Sequence, residues 1–179
     1  GRLESSKGAD KFLEAMVSLA NSGLQFKAIL VGGGSQETKL RKHLEEAGKE
    51  DKVGITGAVP HAQMSGFYNL ADIYVSLNVH GNLSNCVLES VASGASLITF
   101  KPSAHCRDDS TYALLGDRAN YIDRDRVAEE LPRTIKELLA HPEKLDEAKQ
   151  GMKTWASENM SDWDQRLGVE AGLIRELLL

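Results

Sequence analysis

The most restrictive feature of this chain is a recurring pair, a short apolar run closed by small or turn-forming residues and then a stretch of helical spacing. FKAILV at residues 26–31 ends in GGG, and VGIT at 53–56 closes on Gly57. IYVSL occupies 73–77, and SLITF occupies 96–100 and is stopped by Pro102. Near-continuous apolar runs of this length read as strands buried on both faces. Around them lie helical patterns at 8–21 (Phe12, Leu13, Met16, Val17, Leu19), 36–47 (Leu40, Leu44, Ala47), 64–70 and 84–92. Helix and strand alternate four times, and parallel strands need crossover helices of this kind. The order predicts an α/β fold, a parallel sheet with helices on both faces. A short strand at 120–122 extends it, and helices at 124–140, about 143–158 and 162–178 form a C-terminal helical segment. With no linker long enough to separate two units, residues 1–179 read as one domain, with a core at 1–123 and helices at 124–179.

Composition narrows the function classes. The formal net charge of −5 argues against a general nucleic-acid surface, while leaving room for a local anion site. No apolar run approaches the ~20 residues that span a bilayer, and no signal-peptide pattern opens the chain. The two cysteines, Cys86 and Cys106, lack metal-ligand spacing and read as reduced thiols of a cytoplasmic protein. His43, His61, His80 and His105 show no i, i+4 pairing, so no metal site is expected. The sequons at Asn82 and Asn159 read as chance matches, and Trp155 and Trp163 as packing residues.

In open parallel sheets, ligands bind at the carboxyl ends of the strands. Four stretches fall on that edge. HGNLSNCVLESVASG, residues 80–94, places Ser84 and Asn85 as alternative caps ahead of a helix, so first-turn amides stay free for an anion such as phosphate. Glu89 lies a turn further in and could accept two hydroxyl hydrogen bonds, as from a ribose; the plain alternative is a solvated glutamate. GRLESSKG, residues 1–8, carries Arg2 and Lys7 at the entry to the first helix, a pair able to hold a diphosphate or simply to coat a surface. VGGGS, residues 31–35, fails the G-x-G-x-x-G pattern because Glu37 stands at its last position, and reads as a tight turn with Ser35 as helix cap. GAVP, residues 57–60, is either a loop of small residues on which a flat base can lie or an ordinary turn.

Taken together, these stretches resemble the carboxy-terminal half of a family-four glycosyltransferase. GRLESSKG resembles that family's G-R-L-x-x-x-K-G segment, and AILVGGGSQETKLRKHLEE its L-V-G-x-G and following helix. VGITGAVPHAQMSGFYNLADIYVSLN resembles the V-x-F-x-G-x-V … Y-x-x-A-D region, and NLSNCVLESVASGASLIT the L-S-N-x-x-L-E-A-x-A-x-G signature. The resemblance runs from residue 1 to about residue 100 and then thins, although SDW at 161–163 and its helix are similar to the family's last helix, which packs back on the other domain. It implies one half of a GT-B fold, a Rossmann-like domain that holds a UDP-, GDP- or ADP-sugar and transfers the sugar with retention and without a metal or other cofactor.

The resemblance also implies roles. Arg2 and Lys7 correspond to the pair on the donor diphosphate, and Val59 to the position beside the base. Leu83, Ser84, Asn85 and Cys86 correspond to the phosphate approach, and Glu89 to the second glutamate of a Glu-seven-residues-Glu motif, which binds ribose hydroxyls. The first glutamate of that motif falls at Gly81, which has no side chain to reach the transferred sugar; His80 or Asn82 could supply hydrogen bonds there. The opening GRL reads as the end of a strand or the loop after one. The expectation is therefore a piece of a longer chain, inactive alone, lacking an acceptor-binding N-terminal domain and the central strand of a 3-2-1-4-5-6 sheet. Any peripheral membrane contact would come through that domain. Two other readings stay open at this level, a non-catalytic nucleotide- or partner-binding relic and another GT-B-like enzyme such as a sugar-phosphate epimerase.

Overall fold

The computed structural model describes residues 1–80, 83–103, 109–161, and 167, 168, 171 and 175. Helices α1 (Ala9–Asn21), α2 (Glu37–Ala47), α3 (Met64–Leu70) and α4 (Asn85–Ala92) alternate with strands β1 (Ala28–Leu30), β2 (Val53–Ile55), β3 (Ile73–Ser76) and β4 (Ser96–Phe100). They are followed by α5 (Asp109–Leu115), β5 (Asn120–Ile122), α6 (Val127–Ala140) and α7 (Pro142–Asn159). Every expected strand forms, though β1 is trimmed to three residues. Helix α5 was not anticipated, because DSTYALL carries no helical period of apolar residues long enough to read. Of the helix expected at 162–178, only 167, 168, 171 and 175 are described, each helical.

All the ladders are parallel, as the alternation requires, but they divide into two sheets. β1 pairs with β2 (Ala28 opposite Val53), and β4 lies between β3 and β5 (Ile98 opposite Val75 and Asn120). Among the described residues no ladder joins β1 to β3. At their carboxyl ends the opening segment stands between them: Leu3 N donates to Gly33 O at 2.9 Å on one side, and Val79 N donates to Ser6 O at 3.0 Å on the other.

β4 explains why SLITF reads as an uninterrupted apolar run. All five of its residues are buried, with side chains alternating between two cores. Ile98 and Phe100 face a cluster with Leu13 and Met16 of α1, Leu131 and Ile135 of α6, and Leu3. Leu97 faces Val87 and Val91 of α4, Leu115, and Met152 and Trp155 of α7. Helices thus cover both faces of the three-stranded sheet, whereas the smaller sheet leaves Ile29 half-exposed. α7 is tied across the amino ends of the strands by Lys149 Nζ, 2.6 Å from Asp72 Oδ1. The Lys153 stem lies against Gly94, whose φ of +81° and close neighbour both suit a residue without a side chain.

Burying β4 on two sides makes it the most sensitive element. Leu97→Ala should destabilise the domain by about 2–5 kcal/mol, the usual range for emptying a fully buried leucine site, measured as a lower urea midpoint at unchanged slope.

Candidate functional site

The opening segment is held by backbone more than by side chains. Gly1 N donates to Val31 O at 2.7 Å, and Gln36 N donates to Leu3 O at 3.0 Å. The triple glycine makes this approach possible. A Cβ on Gly34 would stand 2.6 Å from the Leu3 carbonyl oxygen, and one on Gly32 would collide with the Gly1 carbonyl. Residues 32–34 therefore form more than a tight turn, since they admit another stretch of backbone. Contrary to the expectation, Ser35 is not the cap of α2; Gln36 occupies that position without a side-chain cap bond. Ser35 is instead recruited by Glu4, whose carboxylate accepts from Ser35 Oγ at 2.6 Å and Ser35 N at 3.2 Å. These two bonds, side chain first, hold the Glu4 carboxyl below the usual carboxylate range. A charged acceptor across 31 residues outcompetes a local cap.

Arg2 is exposed, and Lys7 ends the 3-10 turn Ser5–Lys7 in a half-buried position. Gly8 follows in the left-handed region (φ 68°), where it also starts α1. A Cβ there would meet Leu77 Cβ at 2.6 Å, so the turn carrying Lys7 sits directly on the end of β3. The loop after β2 joins from the other side. Gly32 N donates to Gly57 O at 3.0 Å, and Val59, half-buried, leads through Pro60 into the turn His61–Gln63.

At α4 the capping alternative resolves in favour of Ser84. Its backbone is extended, and its Oγ accepts from Val87 N at 3.4 Å. The Asn85 and Cys86 amides then belong to the first turn, where an α-helix offers no acceptor of its own. Asn85 is exposed, Leu83 and Cys86 are half-buried, and Glu89 is partly exposed one turn on. Its Oε1 lies 3.9 Å from His61 Nε2, which joins the loop after β2 to the α4 site. Gly81 and Asn82 lie outside the described residues, as do His105, Cys106 and Trp163.

The structure therefore places Arg2, Lys7, Val59, Ser84, Asn85 and Cys86 on loops and first turns at the carboxyl ends of the strands, with Glu89 one turn further into α4. Sequence reasoning missed Glu4 and read Ser35 only as a cap, because their pairing has no local signal. His61 was noticed only as an unpaired histidine, though its place two residues after Val59 was a usable hint. Among the described residues, no group of three or more His, Cys, Asp or Glu side chains is arranged to hold a metal ion.

Sequence comparison gives the class of protein. The family model for glycosyl transferases group 1 matches residues 1–155, and the chain belongs to that family. It is 27% identical over 144 residues to the 2-deoxystreptamine glucosyltransferase of Streptomyces kanamyceticus, covering 79% of this chain and 35% of that protein. The chain thus spans about a third of the length of that relative. The pneumococcal O-GlcNAc transferase, solved with UDP and GlcNAc, superimposes with a TM-score of 0.80 at 17% identity over 99% of this chain and 34% of that one. The C-terminal domain of a group 1 family glycosyl transferase from Francisella tularensis superimposes at 0.75 and 16% identity, over 89% of this chain and 82% of that domain. The fold is accordingly that of the C-terminal half of a GT-B enzyme.

The Glu4 contact carries a pH dependence whose sign follows from its direction. Because folding lowers the Glu4 pKa, its contribution is present above the ordinary carboxylate value and is lost as pH falls through the lowered one. Carboxyl NMR should find Glu4 titrating below the usual carboxylate range, and Ser35→Ala, which removes the hydroxyl bond and leaves the amide one, should return it part of the way. An unshifted Glu4 in the unsubstituted protein would refute the contact.

Proposed function

We propose that this chain is the donor-binding half of a retaining, metal-independent glycosyltransferase that takes a sugar from a nucleoside-diphosphate sugar. The observation that carries the reading is the meeting, on one strand-end edge, of the Arg2–Lys7 segment, the loop of Val59 and the start of α4. Each part suits one part of such a donor. Arg2 and Lys7 offer charge to the diphosphate, and the Asn85 and Cys86 amides offer oriented donors at a helix start, where the dipole favours anions. Leu83 and Ser84 bring the backbone up to the phosphates. Val59 provides a surface for the base, and Glu89 stands where it can accept from two ribose hydroxyls.

The chemistry follows from charge. As the bond between sugar and diphosphate breaks, negative charge builds on the leaving oxygens. Fixed cations and amides aimed there stabilise the transition state more than the ground state. The acceptor and the N-terminal domain that would hold it complete the enzyme. Among the described residues no helix is long and apolar enough to cross a membrane, and the reading includes a cytoplasmic enzyme drawing on cytoplasmic nucleotide sugars.

A thermal-shift screen of UDP-, GDP- and ADP-sugars on the full-length protein tests this. The matching donor should raise stability by about 2.7 kcal/mol at a hundredfold excess over Kd. Arg2→Ala and Lys7→Ala should each lower transfer by about 10²–10³, the scale of losing one charge-stabilising donor. Glu89→Gln should weaken nucleotide affinity instead. Near-normal turnover in both cation variants, or no nucleotide binding at all, would defeat the assignment.

A further inference from the structure

Glu4 lies between the two cations in the chain and is bonded toward both. Its backbone is extended, and it precedes the 3-10 turn Ser5–Lys7 in the position of an N-cap. Its amide donates to Arg2 O at 3.0 Å, and its carbonyl accepts from Lys7 N at 2.9 Å. Its side chain makes no cap bond to the turn it precedes. It crosses instead to Ser35, where Oε2 accepts from the hydroxyl at 2.6 Å and Oε1 from the amide at 3.2 Å. Both carboxylate oxygens are thus engaged, and a two-point contact fixes orientation as well as distance.

The place of this contact matters more than its strength. Leu3 is held through its own backbone, donating to Gly33 O and accepting from Gln36 N, both in the turn after β1. Three residues on, Ser6 O accepts from Val79 N, just past the end of β3. Between these ties the chain bends away from β1, and the Glu4 side chain holds the bend to the β1 side. Arg2 lies just before the bend and Lys7 just after it. Both side chains are long and flexible, so one ligand meets them together only if the backbone beneath them is fixed. An exposed contact adds little to global stability; its loss is felt where the two cations must converge.

Resting on the donor-binding reading, we propose that Glu4 is a positioning residue of the diphosphate subsite: anchored on Ser35, it holds the bend between Arg2 and Lys7 so that both cations reach the same pyrophosphate. It acts through those two side chains, and its own charge opposes binding. A carboxylate beside an anion site repels the anion, so on charge alone its removal would tighten a diphosphate. The positioning role demands the opposite sign.

The test is calorimetry on the full-length protein with whichever of UDP, GDP or ADP binds, paired with an NMR titration of the parent nucleoside, which has no phosphate for the cations to meet. Glu4→Ala should weaken the diphosphate about tenfold, the scale of one charge-assisted hydrogen bond, and leave the nucleoside unchanged. Ser35→Ala, which removes the hydroxyl bond and leaves the amide one, should weaken the diphosphate by less and add nothing to Glu4→Ala. In an Arg2→Ala/Lys7→Ala background, Glu4→Ala should no longer weaken it. A tighter or unchanged diphosphate in Glu4→Ala, or equal weakening of diphosphate and nucleoside, overturns the proposal while the donor site stands, provided the Arg2→Ala/Lys7→Ala protein still binds the diphosphate more weakly. If that protein binds it normally, the diphosphate assignment fails and takes this inference with it. Should Glu4→Ala not fold, Glu4→Gln, which keeps the size of the side chain and one acceptor, carries the same comparison of diphosphate against nucleoside.

Discussion

The seating of residues 1–8 is the constraint on which the rest of the site depends. Two sheets with no ladder between β1 and β3 among the described residues are joined at their carboxyl ends by this segment. It is held by main-chain bonds to Val31, Gly33 and Gln36, by the Glu4–Ser35 contact, by Val79 on the far side and by Leu3 buried in the core. Side-chain bonds at exposed positions are worth little singly, but a run of backbone bonds beside a buried leucine fixes a path. Arg2 and Lys7 hang from that path. Their placement is set by glycines 30 residues away that contribute no chemistry of their own.

Much of the fold was legible because burial imposes period. SLITF was readable as a strand, and its run is apolar throughout because the strand is covered on both faces. The helices of 8–21 and 36–47 announced themselves through leucine spacing and a following glycine. The boundary of β1 was legible less well, because Phe26 and Val31 continue the apolar run without joining the ladder. α5 was invisible because its sequence carries no such spacing. The division into two sheets was also unreadable: periodicity tells a strand from a helix but says nothing about which strands pair.

The site shows the same split between local and distant causes. A cap at Ser84 or Asn85, the free first-turn amides and Glu89 one turn on were readable from eight consecutive residues, while the choice of Ser84 was not. The error at Ser35 is the instructive counterpart. Its sequence context suits a helix cap, yet a carboxylate from residue 4 engages both its hydroxyl and its amide. Local propensity is a weak prior against a charged partner brought in by the fold.

One helix carries two of the contacts proposed for the donor, and this has a mechanical meaning. Asn85 and Cys86 offer amides at the start of α4, and Glu89 projects from the same helix, about 6 Å along the axis from Asn85 at the ordinary rise per residue. A phosphate placed against the amides and a pentose placed against the carboxylate are therefore registered by a single rigid element. The sign of each group suits its depth. The helix start favours an anion, and the carboxylate lies far enough in to avoid repelling that anion while still meeting neutral hydroxyls. α4 is itself fixed by Val87 and Val91, packed on Leu97 of the doubly buried strand. The precision asked of the ligand contacts is thus inherited from the core, and a loss of packing at β4 would reach the site without touching any residue that faces the ligand.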